Sequence, residues 1–200
     1  MTIISSSLVP DNAHISFQTT FMLECLTTVA QLEGSDGSSI RVYHSGLLTD
    51  ATFKFFMKGY LLSTSMYSSV IRRWIPVLIS WISGLDHKHY KAHFLALFQS
   101  IGQRLLDEGD QDAVFAQVVD FSLAQRNGWI EAYVEYRLQA GSQDDEEDLR
   151  TRASQLLRGC REHFRQSVTR VARNHAIIPL QQKVVGHFFH GNQIYAFSRC

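Results

Sequence analysis

The chain has 200 residues, of which 45% are hydrophobic and 12% are aromatic, and this is enough apolar material for one packed domain of ordinary size. Its 19 basic and 19 acidic residues give a formal net charge of zero, which excludes a general electrostatic attraction to nucleic acid and leaves only local patches. Three cysteines without a CxxC pair favour an intracellular protein, and neither a signal peptide nor a membrane role is predicted.

The first half of the sequence predicts a lead-in followed by three strands. Residues 1–46 are predicted to be an incomplete lead-in with a short strand candidate at 40–43. Strands are then predicted at 47–56, 60–67 and 74–81, and the short breaks between them favour an antiparallel meander. Pro76 cannot donate to a β-ladder, so the third strand is predicted to lie at an edge of the sheet.

After residue 84 the apolar period changes from two to about 3.6. Asp86 is a predicted N-cap for a helix whose apolar positions recur up to a break at Gly109. A fourth strand is predicted at 114–119 and a second helix at 123–138, with Ile130, Tyr133, Val134 and Tyr136 as packing positions.

The acidic run 141–148 predicts a linker and the start of a long helix that extends to about residue 173. On that helix four arginines would share one sector, namely Arg150, Arg158, Arg161 and Arg165. Arginine binds phosphate bidentately, so this stripe is a candidate DNA contact. The alternative is a solvated face that is balanced by the acidic run.

Two aspartates, Asp50 and Asp120, stand where apolar strands end, and they are the candidate catalytic residues. The order β-β-β-α-β-α is that of the ribonuclease H type of fold, whose first and fourth strands lie side by side, so the two carboxylates would face each other. Carboxylates are the ligands that Mg²⁺ and Mn²⁺ prefer, and paired ions can promote in-line displacement at phosphorus. The alternative is that each aspartate is a turn residue or a helix cap.

Several blocks of the sequence resemble the Mutator-like (MULE) transposases, especially those of fungal genomes. The first block is 49–62, with the D-x-T-F element Asp50-Ala51-Thr52-Phe53, and it is followed by 73–84 with its apolar run and by 89–94. The second acid of the family matches Asp120, and its C-x-x-H element matches Cys160-Arg161-Glu162-His163. The resemblance covers about residues 47–173.

The resemblance implies an α/β fold with a ribonuclease H-like core and a mixed sheet at 47–140, then the start of a helical insertion at 141–200. It implies Mg²⁺- or Mn²⁺-dependent hydrolysis and strand transfer of DNA, with Asp50 and Asp120 as metal ligands, transposon ends as partner and the nucleus as location. Homo-oligomerisation stays open. The family uses a third acid, a glutamate after its insertion, which the sequence does not supply at a matching position, so the chain is expected to be an incomplete core.

Cys160 and His163 are three residues apart on a predicted helix and could both bind one zinc ion, with His175, His187 and His190 as further candidates. The alternative is that Cys160 is a small buried hydrophobe. The histidines 87, 89 and 93 form a second, weaker candidate group.

Two other functions remain open beside the transposase core. One is a non-catalytic DNA- or protein-binding module that retains the fold. The other is a self-contained nuclease in which a different carboxylate completes the metal site.

Overall fold

The computed structural model describes residues 1–26, 46–68, 72–103, 107–119, 122–160, 165 and 168–169. These residues form an α/β fold around one mixed sheet of seven strands. In chain order the strands are β1 (Thr2–Ser7), β2 (His14–Gln18), β3 (Leu47–Thr52), β4 (Tyr60–Ser68), β5 (Arg73–Ile82), β6 (Gln117–Val119) and β7 (Leu157–Gly159).

Besides a 3-10 turn at Pro10–Asn12 and helical residues at 165 and 168–169, the described part of the chain contains five helices. They are α1, described over 20–26, α2 (His87–Gly102), α3 (Glu108–Phe115), α4 (Leu123–Gln139) and α5 (Glu146–Leu156). No helix in the described ranges is long and apolar enough to cross a membrane.

The strand order across the sheet is β1-β2-β5-β4-β3-β6-β7. Strands β3, β4 and β5 form the predicted antiparallel meander, whereas β6 runs parallel to β3 and β7 runs parallel to β6. Strand β3 therefore lies between β4 and β6, although β6 comes after two intervening helices.

One face of the sheet is buried by helices, and α2 and α4 pack closely on each other. Alternate residues of the central strands point to this face, including Leu47, Leu62, Leu78 and Ile82. The aromatic rings Phe98, Phe115, Trp129 and Tyr133 fill the space between the helices and the sheet. The core therefore lies on one side of the sheet, which leaves the other face more accessible.

The lead-in is part of this sheet. Strands β1 and β2 form an antiparallel hairpin, and β2 pairs with the end of β5 from Ile79 to Ile82. At the other end of the chain, β7 pairs with β6. Strands from both sides of the expected boundaries at residues 46 and 140 therefore belong to the same sheet. The strand candidate at 40–43 lies outside the described residues.

The expected edge position of Pro76 holds only locally. As a whole, β5 is interior, because β2 lies on one side of it and β4 on the other. The pairing with β2 begins at Ile79, however, so Pro76 lies in the half of β5 that has a β-ladder on one side only. Pro76 pairs with Ser65 of β4 beside a register shift in that ladder, and irregular positions of this kind tolerate a proline.

Two expected strands are shorter in the structure. The first ends at Thr52, so residues 53–56 are not strand, and Lys54 has a positive φ of 63° that ends the extended path. The strand expected at 114–119 is limited to Gln117–Val119, because Val114 and Phe115 belong to α3. Phe115 packs as a helix residue against Tyr133 of α4, so tertiary packing overrides its strand propensity.

The expected helices are only partly confirmed. The Asp86 cap is confirmed, since its carboxylate accepts the N–H groups of Lys88 and His89, and α4 closely matches the predicted 123–138. The first helix ends at Gly102 rather than at Gly109, which lies inside α3. The long helix to residue 173 is wrong, because α5 ends at Leu156 and the chain turns into β7.

Candidate functional site

Asp50 lies in the interior strand β3, on the face of the sheet that the helices do not bury. Its neighbour Thr49 points into the core, and because side chains alternate along a strand, the Asp50 carboxylate points the opposite way and is exposed. It lies opposite Ser63 of β4. Among the described residues it has no hydrogen-bond or ion-pair partner, so its oxygens are available to a ligand.

The end of β6 lies beside β3. The register pairs Leu47 with Gln117 and Leu48 with Val118, and the Leu47 N–H donates to the Ala116 carbonyl at 2.9 Å. The strand ends at Val119, whose carbonyl accepts the Cys160 N–H at 2.9 Å. Asp120, the second candidate acid, is the next residue and lies outside the described residues.

A continuous chain of buried hydrogen bonds crosses the sheet beneath Asp50. Its members are hydroxyl, amide and ring groups on the core face of five strands and two helices. In order across the sheet, this buried polar chain consists of Ser16, Ser80, His93, Thr64, Thr49, Gln117 and Trp129.

His93 is the centre of the buried polar chain. Its Nδ1 lies 2.6 Å from Ser80 Oγ and its Nε2 lies 2.7 Å from Thr64 Oγ1. Burial, with a smaller contribution from the nearby His14, lowers the pKa of His93 to about 3. The ring is therefore neutral at pH 7, so one nitrogen donates a hydrogen bond and the other accepts one.

The other half of the buried polar chain connects β3 to β6. Thr49 Oγ1 lies 2.5 Å from Thr64 Oγ1 and accepts a hydrogen bond from the Gln117 amide. The side-chain oxygen of Gln117 accepts the Trp129 indole N–H at 3.0 Å. The side-chain amide of Gln125 donates to the Thr49 backbone carbonyl at 3.2 Å. These contacts hold the backbone that carries Asp50 against the strand that leads to Asp120.

The four arginines expected on one helix face do not share a helix. Arg150 is on α5 and pairs with Glu146 at 2.7 Å, whereas Arg158 is exposed in β7. Arg165 is exposed on a later helical segment, and Arg161 lies outside the described residues. The stripe fails as a helical feature because Leu157 adopts extended φ and ψ angles, and because Gly159 is a poor helix former.

The residues expected to bind zinc do not lie together on one helix in the described part of the chain. Cys160 is buried at the end of β7, and His163, His175, His187 and His190 lie outside the described residues. In the ranges that the structure describes, no group of three or more metal-binding side chains is found.

The histidines of α2 have structural partners. His89 contacts the Asp86 carboxylate at 2.8 Å and Ser83 Oγ at 2.9 Å, so both of its ring nitrogens are engaged. His93 belongs to the buried polar chain. His87 is half-buried at the start of the helix. His89 and His93 therefore bind different partners and do not form one site.

Sequence reasoning missed the buried polar chain and a second polar cluster. In this cluster the fully buried Arg137 pairs with Asp112, which also pairs with Arg152 at 2.6 Å and accepts the Tyr133 hydroxyl at 2.8 Å. The Arg137 guanidinium also lies over the rings of three aromatic residues. The only signal of the polar chain in the sequence is hydroxyl residues at core-facing strand positions.

Comparison of the chain with protein-family models, with curated proteins and with solved structures gave no match.

Proposed function

We propose that the chain is a ribonuclease H-like, DNA-processing domain related to the Mutator-like transposases, in which Asp50 and Asp120 hold Mg²⁺ or Mn²⁺. The observation that carries this proposal is the parallel pairing of β3 with β6, two interior strands of the sheet. It brings the strand that contains Asp50 beside the strand that ends one residue before Asp120.

The strand order supports the fold part of the proposal. From β5 to β7 the order is β5-β4-β3-β6-β7, with the first three strands antiparallel and the last two parallel to β3. This order and these directions support a ribonuclease H-like assignment, and the β1–β2 hairpin adds two further strands to the sheet. Fold alone does not establish a reaction, so the functional part depends on the two acids.

The chemistry of Asp50 fits a hard divalent cation. Its carboxylate is exposed and unpartnered among the described residues, and Mg²⁺ and Mn²⁺ prefer carboxylate oxygens. Consecutive Cα atoms are about 3.8 Å apart, so Asp120 stays within reach of the end of β6. A bound ion would polarise the phosphoryl oxygen and favour attack at phosphorus.

Residues of the core beneath Asp50 hold its strand in position. Thr49 and Gln117 fix β3 against β6 from inside the core, so the strand that carries Asp50 is held by buried contacts against the strand that precedes Asp120. Sites on strands that are locked from behind keep their geometry better than sites on loops. Thr49 and Gln117 are therefore positioning residues in this proposal.

A DNA-binding module without catalysis is the second candidate. The exposed arginine Arg158 favours it, because an exposed guanidinium group can contact phosphates whether or not a metal site is complete. Arg150 is the weaker candidate, since Glu146 neutralises it locally.

A nicking assay on supercoiled DNA with Mg²⁺ or Mn²⁺ tests the catalytic proposal. Because the family's third acid has no matching residue in this chain, we expect metal-dependent nicking by the wild type to be slow, and we expect none by Asp50→Asn or Asp120→Asn. Asp11→Asn, in the β1–β2 hairpin, is the matched control and should nick DNA like the wild type. Nicking that survives either of the first two substitutions would contradict the proposed role of that residue.

Salt-dependent DNA binding separates the two candidates. A binding module keeps its DNA affinity in Asp50→Asn and Asp120→Asn but loses it when Arg158, Arg161 and Arg165 are all replaced by alanine. If the wild-type chain neither nicks nor binds DNA, both candidates are wrong.

A further inference from the structure

The turn between β3 and β4 exposes an unusual set of side chains. It runs over residues 53–59, which we call the hairpin tip, and three of its apolar side chains face solvent: Phe53 is 61% exposed, Phe55 is 63% exposed and Met57 is fully exposed. Exposed large aromatic residues grouped in this way indicate a binding surface.

The hairpin tip has a defined conformation. The Trp81 indole N–H donates to the Lys58 carbonyl at 2.9 Å, and the positive φ of Gly59 lets the backbone pass close to the Trp81 ring, where a Cβ would collide. Phe53 packs edge-to-face on Tyr60 with ring centroids 5.5 Å apart, and Phe55 packs on Phe56 at 4.9 Å. The exposed rings are therefore held in place before any ligand arrives, which lowers the entropy cost of binding.

An edge-to-face contact uses one of the four ring faces of an aromatic pair, so most of the π-surface of Phe53 and Phe55 stays accessible. The charged side chains of the hairpin tip are all positive. Lys54 and Lys58 are its charged residues, and no aspartate or glutamate occurs between 51 and 60. The tip therefore offers flat apolar rings together with two positive charges.

We propose that the hairpin tip binds unpaired nucleotides of a nucleic acid strand, with bases stacked on Phe53 and Phe55 and phosphates beside Lys54 and Lys58. The choice of nucleic acid rests on the proposed function of the same hairpin. Asp50 is three residues before Phe53, or about 10 Å along an extended chain. A strand held at the tip would thus pass close to the candidate acid.

The order of residues in the tip favours a nucleic acid strand over an anionic lipid surface. Lys54 lies between Phe53 and Phe55 in the sequence, so insertion of both rings into a membrane would draw a lysine toward the apolar layer. A single strand alternates stacking surfaces with negative charges, as the tip alternates rings with lysines.

Fluorescence anisotropy with a fluorescein-labelled oligothymidylate and the whole chain tests this inference. We expect the double substitution Phe53→Ala/Phe55→Ala to weaken binding about tenfold or more, because base–aromatic stacking is strong. Lys54→Ala/Lys58→Ala should flatten the dependence of log affinity on log salt concentration by about 0.7 for each phosphate that a lysine no longer neutralises. The matched control is Leu8→Ala/Val9→Ala, which removes exposed apolar side chains from the other hairpin and should leave binding unchanged.

A second variant keeps the test valid if the alanine substitutions disturb folding. Phe53→Leu/Phe55→Leu retains apolar side chains but removes the rings, so it should fold and still lose affinity for the oligonucleotide. Equal affinity of this variant and the wild type would overturn the inference.

The outcomes separate this inference from the proposed function. Oligonucleotide binding that depends on the tip in a chain without metal-dependent nicking supports the inference and removes the catalytic proposal. Metal-dependent nicking, together with an oligonucleotide affinity that the phenylalanine substitutions leave unchanged, supports the catalytic proposal and overturns the inference. Tip-dependent binding to phosphatidylserine vesicles, or tip-dependent self-association in sedimentation, without oligonucleotide binding would also overturn the inference.

Discussion

At the scale of single residues, Thr49 and Asp50 show how one strand serves two environments. Thr49 is buried and joins the hydrogen-bonded chain beneath the sheet, whereas Asp50 is exposed on the opposite face. The period of two along a strand places them on opposite faces, so a small polar core residue can support the backbone of an exposed acid. His93 and Gly46 make this support testable.

His93 predicts a specific dependence of stability on pH. Because burial lowers the folded-state pKa to about 3, the unfolded chain binds a proton between about pH 6.5 and pH 3 that the folded chain does not. The free energy of unfolding should therefore fall as the pH is lowered through this window, by up to about 1.4 kcal/mol per pH unit from this group. Urea unfolding at pH 7, 6, 5 and 4 measures it.

The variant His93→Gln should lose most of this slope, since glutamine does not titrate there. Its stability at pH 7 should also be lower, because the new side chain must replace two buried hydrogen bonds. His87→Gln, on the first turn of the same helix and outside the buried polar chain, controls for loss of a histidine. Parallel pH profiles for His93→Gln and the wild type would refute a neutral buried His93.

Gly46 reports on the junction of β3 and β6. It has a positive φ of 60°, and a Cβ there would collide with the Ala116 carbonyl, which accepts the Leu47 N–H. Gly46→Ala should therefore be destabilising both by backbone strain and by about 1–3 kcal/mol of overpacking.

Gly141→Ala is the matched control for Gly46→Ala. Gly141 also has a positive φ, of 88°, but a Cβ there would meet no atom within 4 Å. It should show the backbone strain alone in a thermal or urea unfolding measurement. Equal losses of stability in the two variants would mean that Gly46 does not lie against β6.

At the scale of elements, a buried ionic cluster connects α3, α4 and α5. Asp112 of α3 pairs with the fully buried Arg137 of α4 and with Arg152 of α5. These helices flank β6 in sequence and lead into β7, so the cluster fixes the segment that delivers both parallel strands to the sheet.

Asp112→Ala should cost about 3–5 kcal/mol of unfolding free energy, because it leaves the Arg137 guanidinium buried without its counter-charge. Glu146→Ala is the matched control, since it breaks the exposed pair with Arg150 and should cost less than about 1 kcal/mol. Chemical denaturation of both variants makes the comparison. Similar losses would show that Arg137 is not buried as described.

Local patterns predicted some elements well and failed at others for physical reasons. The Asp86 cap and the apolar spacing of 123–138 are local signals, and α2 and α4 begin where they indicate. The aromatic run 53–56 has strong strand propensity, yet it forms a turn because Lys54 and Gly59 adopt positive φ angles. Leu157 and Arg158 fit a helical period but pair with the free edge of β6, a contact that the local sequence does not encode.

At the scale of the whole molecule, the sheet gathers strands from distant parts of the chain. The predicted meander and the parallel β3–β6 pair follow from the order of the elements, whereas the β1–β2 hairpin beside β5 could not be predicted from residues 1–18 alone. Asp50 was found from the sequence as an acid at the end of a strand. The hydrogen-bonded network that supports it requires His93 and Gln117 to meet Thr64 and Thr49 across the core.

The central claim is that Asp50 and Asp120 bind the same divalent ion, and calorimetric titration of the folded chain with Mn²⁺ tests it most directly. We expect the wild type to bind Mn²⁺ and either Asp50→Asn or Asp120→Asn to weaken binding about tenfold or more, since each removes a charged ligand. The double variant should be little worse than either single one, because the two residues act together. Unchanged Mn²⁺ affinity in either single variant would contradict the claim.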